Sequence, residues 1–412
     1  MGERSERVKV LTAGIAGLLL SVGVARFAYT PLLPLMQDQA GLGVSAAGWL
    51  AAVNYAGYLT GAGIATMVSD LVLKDRLYRI GMVVALVTTP MMALTTNEVL
   101  WGVSRYFAGL GSAAGMLLGT GLILNWLIRQ DHRSELGIHF AGIGLGIAAC
   151  ASLVEVLHPS WDWREQWYAF TVIGILLLVP ALGWFPRPAR DTHTRSGRRM
   201  LDRPPSALYL RLFIAAYFCA GFGYVIGATF IVAIVEDLPG LAGRGNLAFL
   251  AIGLGAAPAG IYWDLIARRL GDLNALVVAA GLQVVGIALP VLAGGLVATM
   301  VGALLFGSTF VGMVSLVLTM AGRFYPTRPA TMMGRMTLSY GVAQIVGPAA
   351  TAWLATRYAG YVLGLYLAAA VMLLGTVLLL LLKLVERRDA ERDHASSVDA
   401  TAGRPRHGGN TR

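Results

Sequence analysis

The sequence is poor in charge. Only 13% of its 412 residues are Asp, Glu, Lys or Arg, against 57% hydrophobic. A soluble domain carries about 25% charge, so a surface made for water is excluded; lipid must cover most of it. Lysine is scarcer still, at three of 32 basic residues (Lys9, Lys74 and Lys383). The two cysteines, Cys150 and Cys219, lie inside apolar runs. That excludes a disulfide framework and any cysteine metal spacing, and both read as small apolar packing residues. Phosphate loops, metal-ligand clusters and nucleophile elbows are missing as well. The chain therefore does not read as an enzyme, and no cofactor or metal is implied. The first apolar run is too long for a cleavable signal peptide, and no small-residue cleavage site follows a short core. Carboxylates, finally, are absent from the middles of the apolar runs. A proton-coupled cation transporter usually needs one there, so the absence tilts the reading toward an anionic or zwitterionic solute.

What is present is a series of apolar runs. A helix needs about 20 apolar residues to cross the hydrocarbon core. Such runs lie near 10–36, 46–68, 79–96, 99–127, 136–157, 167–185, 208–235, 246–267, 273–294, 296–320, 332–355 and 361–384. They predict an all-α, polytopic membrane protein with twelve spans. The net charge of +10 can signal nucleic acid, but here it sits in the short loops between runs. With the N-terminus inside, 27 of the 32 basic residues fall on the cytoplasmic side. Three (Arg164, Arg244 and Arg357) fall outside, and Arg26 and Arg105 lie within spans. That asymmetry predicts both termini in the cytoplasm. Trp49, Trp101, Trp161, Trp163 and Trp167 fall near outer ends, where interface aromatics belong.

Residues 186–207 are polar, basic and rich in proline, and read as a cytoplasmic linker that could also meet anionic lipid. The linker leaves a six-helix bundle on each side, 1–185 and 208–384. Residues 385–412 are charged and poor in aromatics, and predict a disordered cytoplasmic tail. Six plus six around a long middle loop is the layout of the major facilitator fold. Gly260-Ile-Tyr-Trp-Asp264-Leu-Ile-Ala-Arg268-Arg269 resembles the loop motif of that superfamily, with Ala267 at its second glycine position. Asp264 beside Arg268 and Arg269 could clip neighbouring helices in one state and release them in another. The first-half loop, Asp70 to Arg76, keeps charges without the spacing. Arg105-Tyr-Phe-Ala-Gly109-Leu-Gly111-Ser-Ala113 resembles the superfamily's fourth-span signature, while the fifth span lacks the Gly-Pro of the antiporters.

A narrower likeness covers about residues 10–384. Gly23-Val-Ala-Arg26-Phe27-Ala-Tyr29-Thr-Pro31-Leu-Leu-Pro34 resembles the first span of YbfB/YjiJ-type major facilitators. So do Gly48-Trp49 through Asn54-Tyr55-Ala-Gly57-Tyr58, Gly137-Ile-His139-Phe140-Ala-Gly142, Gly221-Phe-Gly223-Tyr224 and Gln344-Ile-Val-Gly347-Pro348. The resemblance implies a permease of the bacterial inner membrane, driven by the proton gradient through alternating access. It carries over no substrate.

Ionisable groups at membrane depth are costly and default to function. Arg26 lies about 15 Å and Arg105 about 9 Å inside the outer ends of their spans. Two guanidiniums facing one cavity would clamp an anion. Arg105 is also shallow enough to snorkel or to pair with Glu155, as a staple or as a gate. Asn54, Tyr55, Tyr224, Gln283, Tyr340 and Gln344 are further candidates for the cavity wall, though such groups often only bond a neighbouring helix. His139 could relay protons or simply pack. The expected partners are a small solute and membrane lipid, with no nucleic acid, and a monomer would suffice. Efflux of amphipathic compounds is the competing transport reading; a receptor or scaffold on a transporter fold is the competing class.

Overall fold

In lipid, every backbone N–H and C=O must find its partner within the protein, and a helix does this inside one segment. The computed structural model obeys that constraint: its described secondary structure is helical apart from one isolated bridge at Arg199. It describes residues 3–402 except 134–135, 158–159, 189–193, 198, 238–239, 242–243 and 359–361; of Pro34 and Pro348 it describes the backbone alone.

The helices follow one another as α1 (Glu3–Leu18, Leu19–Phe27 and Tyr29–Ala40), α2 (Val44–Met67), α3 (Leu71–Leu94) and α4 (Glu98–Ala113, Ala114–Gly119 and Thr120–Arg129). Then come α5 (Gly137–Leu157), α6 (Trp163–Gly183), α7 (Ala207–Asp237) and α8 (Gly245–Ala256 and Ala259–Leu270). The last four are α9 (Asp272–Leu292), α10 (Gly295–Phe324), α11 (Pro329–Tyr358) and α12 (Val362–Ala402). The middle pieces of α1 and α4 are π-wound. Pro258 bends α8 by 42°. Among the described residues nine helices are long and apolar enough to cross a membrane, and the bent α8 makes a tenth. α2 and α11, of 24 and 30 residues, have the length.

Caps account for the starts that apolar runs alone place too late. Asp70 accepts from the N–H groups of Val72 and Leu73, so α3 begins eight residues before the run near 79. Asp162 and Glu165 form a capping box at the start of α6; each such cap satisfies donors that the helix itself cannot. One expectation is corrected. Residues 385–402, read as disordered, continue α12 as helix through Ala402; residues 403–412 lie outside those described. The run is rich in Glu, Arg and Ala, which favour helix, and it extends an existing helix without a nucleation cost.

α1–α6 pack as one half and α7–α12 as the other. Two seams join them, α2 with α11 and α5 with α8. Small residues set both the helix spacing and the seams. A Cβ on Gly57 would strike the carbonyl of Tyr106, and one on Gly144 would strike the Ala257 backbone. The linker is strapped down at several described points. Phe185, just before it, stacks on Tyr78 at 3.9 Å. Ser196 donates to Asp131 through N at 2.8 Å and Oγ at 3.1 Å. Asp202 accepts from the Thr327 hydroxyl at 2.7 Å.

Gly57→Val places methyl groups against backbone that cannot step aside. It should lower the unfolding midpoint of the detergent-solubilised protein, at a cost of about 1–3 kcal/mol. Gly63→Val, where an added Cβ meets open space, should leave the midpoint near wild type.

Candidate substrate cavity

Pro31 decides the course of α1. It has no N–H to offer the carbonyls four and five positions earlier, those of Phe27 and Arg26. The helix winds into π over Leu19–Phe27, turns at Ala28 and restarts at Tyr29. Arg105 of α4 serves one of these, the Arg26 carbonyl, together with the Ala25 carbonyl next to it. Its Nη1 donates to the Ala25 carbonyl at 2.9 Å and its Nη2 to that of Arg26 at 3.3 Å. Its guanidinium lies 4.6 Å from the Tyr29 ring centre, and the whole residue is 3% exposed. The Arg105 carbonyl in turn accepts from Asn54 Nδ2 at 2.8 Å. Tyr29 donates its hydroxyl to the Ala47 carbonyl at 3.0 Å. α1, α2 and α4 are thereby locked together where α1 is broken.

Arg26 is differently placed. Its guanidinium lies 4.8 Å from the ring centres of Tyr55 and Tyr58 and 5.6 Å from that of Phe27. The residue is half-buried and forms part of the wall of a cavity of about 390 Å³ between the halves. Phe27, Tyr29, Asn54, Tyr55 and Arg105 line this cavity from the first half. Tyr224, Phe249, Ile252, Phe306 and Phe310 line it from the second. It reaches toward the α1–α2 turn through Leu33, Gln37 and Ala47. No carboxylate is among the described lining residues. A second chamber of about 50 Å³ lies on the linker side of Arg26, lined by Tyr58, Tyr217, Tyr224, Tyr340 and Gln344 among others.

All seven residues read as substrate-binding, Arg26, Arg105, Asn54, Tyr55, Tyr224, Tyr340 and Gln344, therefore line one chamber or the other. Their availability differs. Arg105 has committed both terminal nitrogens, and Asn54 has committed its amide nitrogen. Gln344 Oε1 is buried with no hydrogen-bond partner. Sequence reasoning missed Tyr58, Tyr217, Phe249, Phe306 and Phe310. The i, i+4 pair Phe306 and Phe310 was a legible signal, since such residues share a helix face.

Two expectations are corrected, and His139 takes the packing alternative of its two readings. Arg105 and Glu155 form no pair among the described residues: Arg105 is turned onto the carbonyls of α1, and Glu155 is exposed on α5. Gln283 lines neither chamber; it is fully buried and takes the Thr309 hydroxyl on its Oε1, between α9 and α10. His139 also lies outside both chambers. It is buried, and its Nε2 meets Thr120 Oγ1 at 2.8 Å. A Cβ on Gly14 would strike its ring, so α1 packs directly upon it.

The remaining gating residues sit at the linker end. Asp264 is buried on α8 and accepts from the Gly137 N–H, the first residue of α5, at 2.5 Å. A helix N-terminus favours negative charge, so this bond clips one half to the other. Arg268 and Arg269 are exposed in the last turn of the same helix. The first-half loop makes its own crossing: buried Lys74 donates to Thr331 Oγ1 of α11 at 3.2 Å. Asp75 meanwhile pairs with Arg79 at 3.0 Å and Arg187 at 3.2 Å.

Two helical halves around a central cavity, clipped at one end, define a transporter of the major facilitator fold. The human organic anion transporter MFSD10 has the same fold, with a TM-score of 0.69 at 18% identity over 90% of this chain and 99% of that one. Residues 18–380 match the family described as uncharacterised MFS-type transporter YbfB, and the chain belongs to that family. It is 21% identical over 383 residues to the uncharacterized MFS-type transporter YtbD of Bacillus subtilis, covering 90% of this chain and 94% of the relative. It is 24% identical over 195 residues to the cis,cis-muconate transport protein of Acinetobacter baylyi, 47% of this chain and 46% of that protein.

Arg105→Leu would strip the Ala25 and Arg26 carbonyls of a donor. Each buried group left unsatisfied costs about 1–3 kcal/mol, so the unfolding midpoint should fall clearly. Arg26→Leu removes a half-buried charge that has no carboxylate partner among the described residues and should hold the midpoint at or above wild type.

Proposed function

We propose that this protein moves a small organic anion across the bacterial cytoplasmic membrane by alternating access. All twelve helices would cross the membrane, with both termini and the linker in the cytoplasm. The observation that carries the reading is Arg26: a guanidinium in the cavity wall, faced by aromatic rings, with no described carboxylate to neutralise it. A cation held in a low-dielectric site is costly, and an anionic cargo offsets that cost where a cationic one would add to it. The names of MFSD10 and of the muconate transport protein point the same way.

In that orientation the cavity opens toward the outside, and the Asp264–Gly137 and Lys74–Thr331 bonds close the cytoplasmic side. Release would break both clips as the halves rock. The proton gradient is the driving force expected of the family, and uptake should respond to an imposed pH difference. Efflux of amphipathic compounds remains a second reading, favoured by the number of aromatic rings in the wall.

Unfolding of the purified protein should be followed across organic anions, amines, sugars and lipophilic cations. A ligand at 100 times its dissociation constant stabilises by about 2.7 kcal/mol. Stabilisation by anions, lost in Arg26→Leu and weakened in Arg26→Lys, is the expected result. Stabilisation by lipophilic cations that ignores Arg26 would overturn the reading in favour of efflux. For the clips, Leu136→Cys is buried beside Gly137 and should react slowly with an impermeant maleimide from the cytoplasmic side. Adding Asp264→Ala should raise that rate several-fold; an unchanged rate would deny Asp264 a gating role.

A further inference from the structure

The shape and chemistry of the outer chamber say more about the cargo than its sign. The inference that follows rests on the anion reading above and narrows it.

The chamber is asymmetric. The first half contributes the cation, and the second contributes a continuous aromatic surface. Tyr224 lies parallel to Phe306, at 9° and 6.3 Å, and 4.8 Å from Phe310. Phe306 and Phe310 are 5.7 Å apart, and Phe249 adds a further ring to the same wall. Rings prefer to meet other rings offset-stacked or edge-on at such separations. Arg26 is also the one cavity cation, among the described residues, whose terminal nitrogens are not bound to backbone carbonyls. Arg105 is largely committed: its Nη1 and Nη2 hold α1 and Tyr29 covers its face, which leaves its buried Nε as its one nitrogen without a hydrogen-bond partner. A second anionic group on the cargo would therefore meet at most the single buried Arg105 Nε, not a second open guanidinium fork.

We infer that the chamber selects an aromatic monoanion, a single carboxylate on a flat ring. The carboxylate lies against Arg26, and the ring lies against Tyr224, Phe306 and Phe310. About 390 Å³ is the size of a small-molecule site and accommodates one or two fused rings. Such a cargo touches both halves at once, its charge on one and its ring on the other. Binding then favours the closed arrangement of the halves over the open one, because only closure satisfies both contacts.

The test is equilibrium binding and counterflow in proteoliposomes with four probes. These are 2-naphthoate, the saturated decalin-2-carboxylate of similar size and charge, naphthalene-2,6-dicarboxylate and the lipophilic cation tetraphenylphosphonium. Wild type should bind 2-naphthoate about tenfold more tightly than its saturated analogue, the increment of one or two ring–ring contacts. It should bind the dicarboxylate more weakly. Phe306→Leu and Phe310→Leu keep an apolar wall and should shrink the aromatic preference to about twofold, weakening 2-naphthoate more than decalin-2-carboxylate. Equal affinity for the ring and its saturated analogue would overturn the aromatic assignment and leave the anion reading standing. A tighter dicarboxylate would overturn the single-charge assignment. If no carboxylate binds, or only tetraphenylphosphonium does, and Arg26→Leu changes nothing, the anion reading itself falls and this inference with it.

Discussion

The obligation to satisfy backbone polar groups away from water governs this molecule. It is most visible at α1, where Pro31 deprives upstream carbonyls of an N–H and the helix switches winding from α to π and back. A broken helix at membrane depth needs an outside donor. Arg105 provides it, with Nη1 and Nη2 on two successive carbonyls. The break at Ala28 follows two residues after Arg26, so that adjacent carbonyl positions and an adjacent side chain serve different ends. The carbonyls of Ala25 and Arg26 anchor the bundle, and the Arg26 guanidinium faces the space between the halves. Two arginines that look equivalent in a span count thus divide into a structural cation and an available one.

The seams between the halves follow from side-chain size. Where Gly144 meets Ala257 and Gly137 meets Gly260, backbones approach too closely for a Cβ on either glycine. Apolar association gains little between helices already in lipid, so close packing and a few hydrogen bonds hold such contacts. Two of the polar bonds crossing at the linker end, Asp264 to Gly137 and Lys74 to Thr331, come from corresponding loops of the two halves; a third runs from Asn125 Nδ2 of α4 to the Pro326 carbonyl at 3.0 Å. The two loop bonds use opposite charges in opposite roles, a carboxylate that accepts and an ammonium that donates. The loop with the intact motif places a carboxylate on a helix N-terminus; the degenerate loop places an ammonium on a hydroxyl.

Much of the architecture was legible in the amino-acid order. The helical class and the apolar, membrane-crossing character of its runs follow from hydropathy and the cost of polar groups in lipid. Arg26 stood out because a cation deep in an apolar run has few bland explanations. Less legible were the helix starts, which depend on caps such as Asp70 and the Asp162–Glu165 box more than on hydropathy. The helical continuation of α12 past residue 385 escaped for the opposite reason: composition argued for disorder, and an existing helix removed the nucleation cost.

Which way side chains turn was decided by tertiary structure. Arg105 and Glu155 have complementary charge and matching depth in the sequence. Yet Arg105 is drawn to α1 by unsatisfied carbonyls that no residue list reveals, and Glu155 faces outward. Gln283 and His139 are polar residues in apolar runs, as Tyr340 and Gln344 are, but they bond neighbouring helices while the latter pair meets the inner chamber. Phe306 and Phe310 read as ordinary lipid-compatible residues until packing turns them toward Arg26 across the cavity. The sequence by itself determined that the chain is a helical membrane protein with a cation buried in its first span, because hydropathy and desolvation act residue by residue. Only the fold decided what that cation faces, because a cavity is made by residues from both halves whose separation along the chain hides their neighbourhood in space.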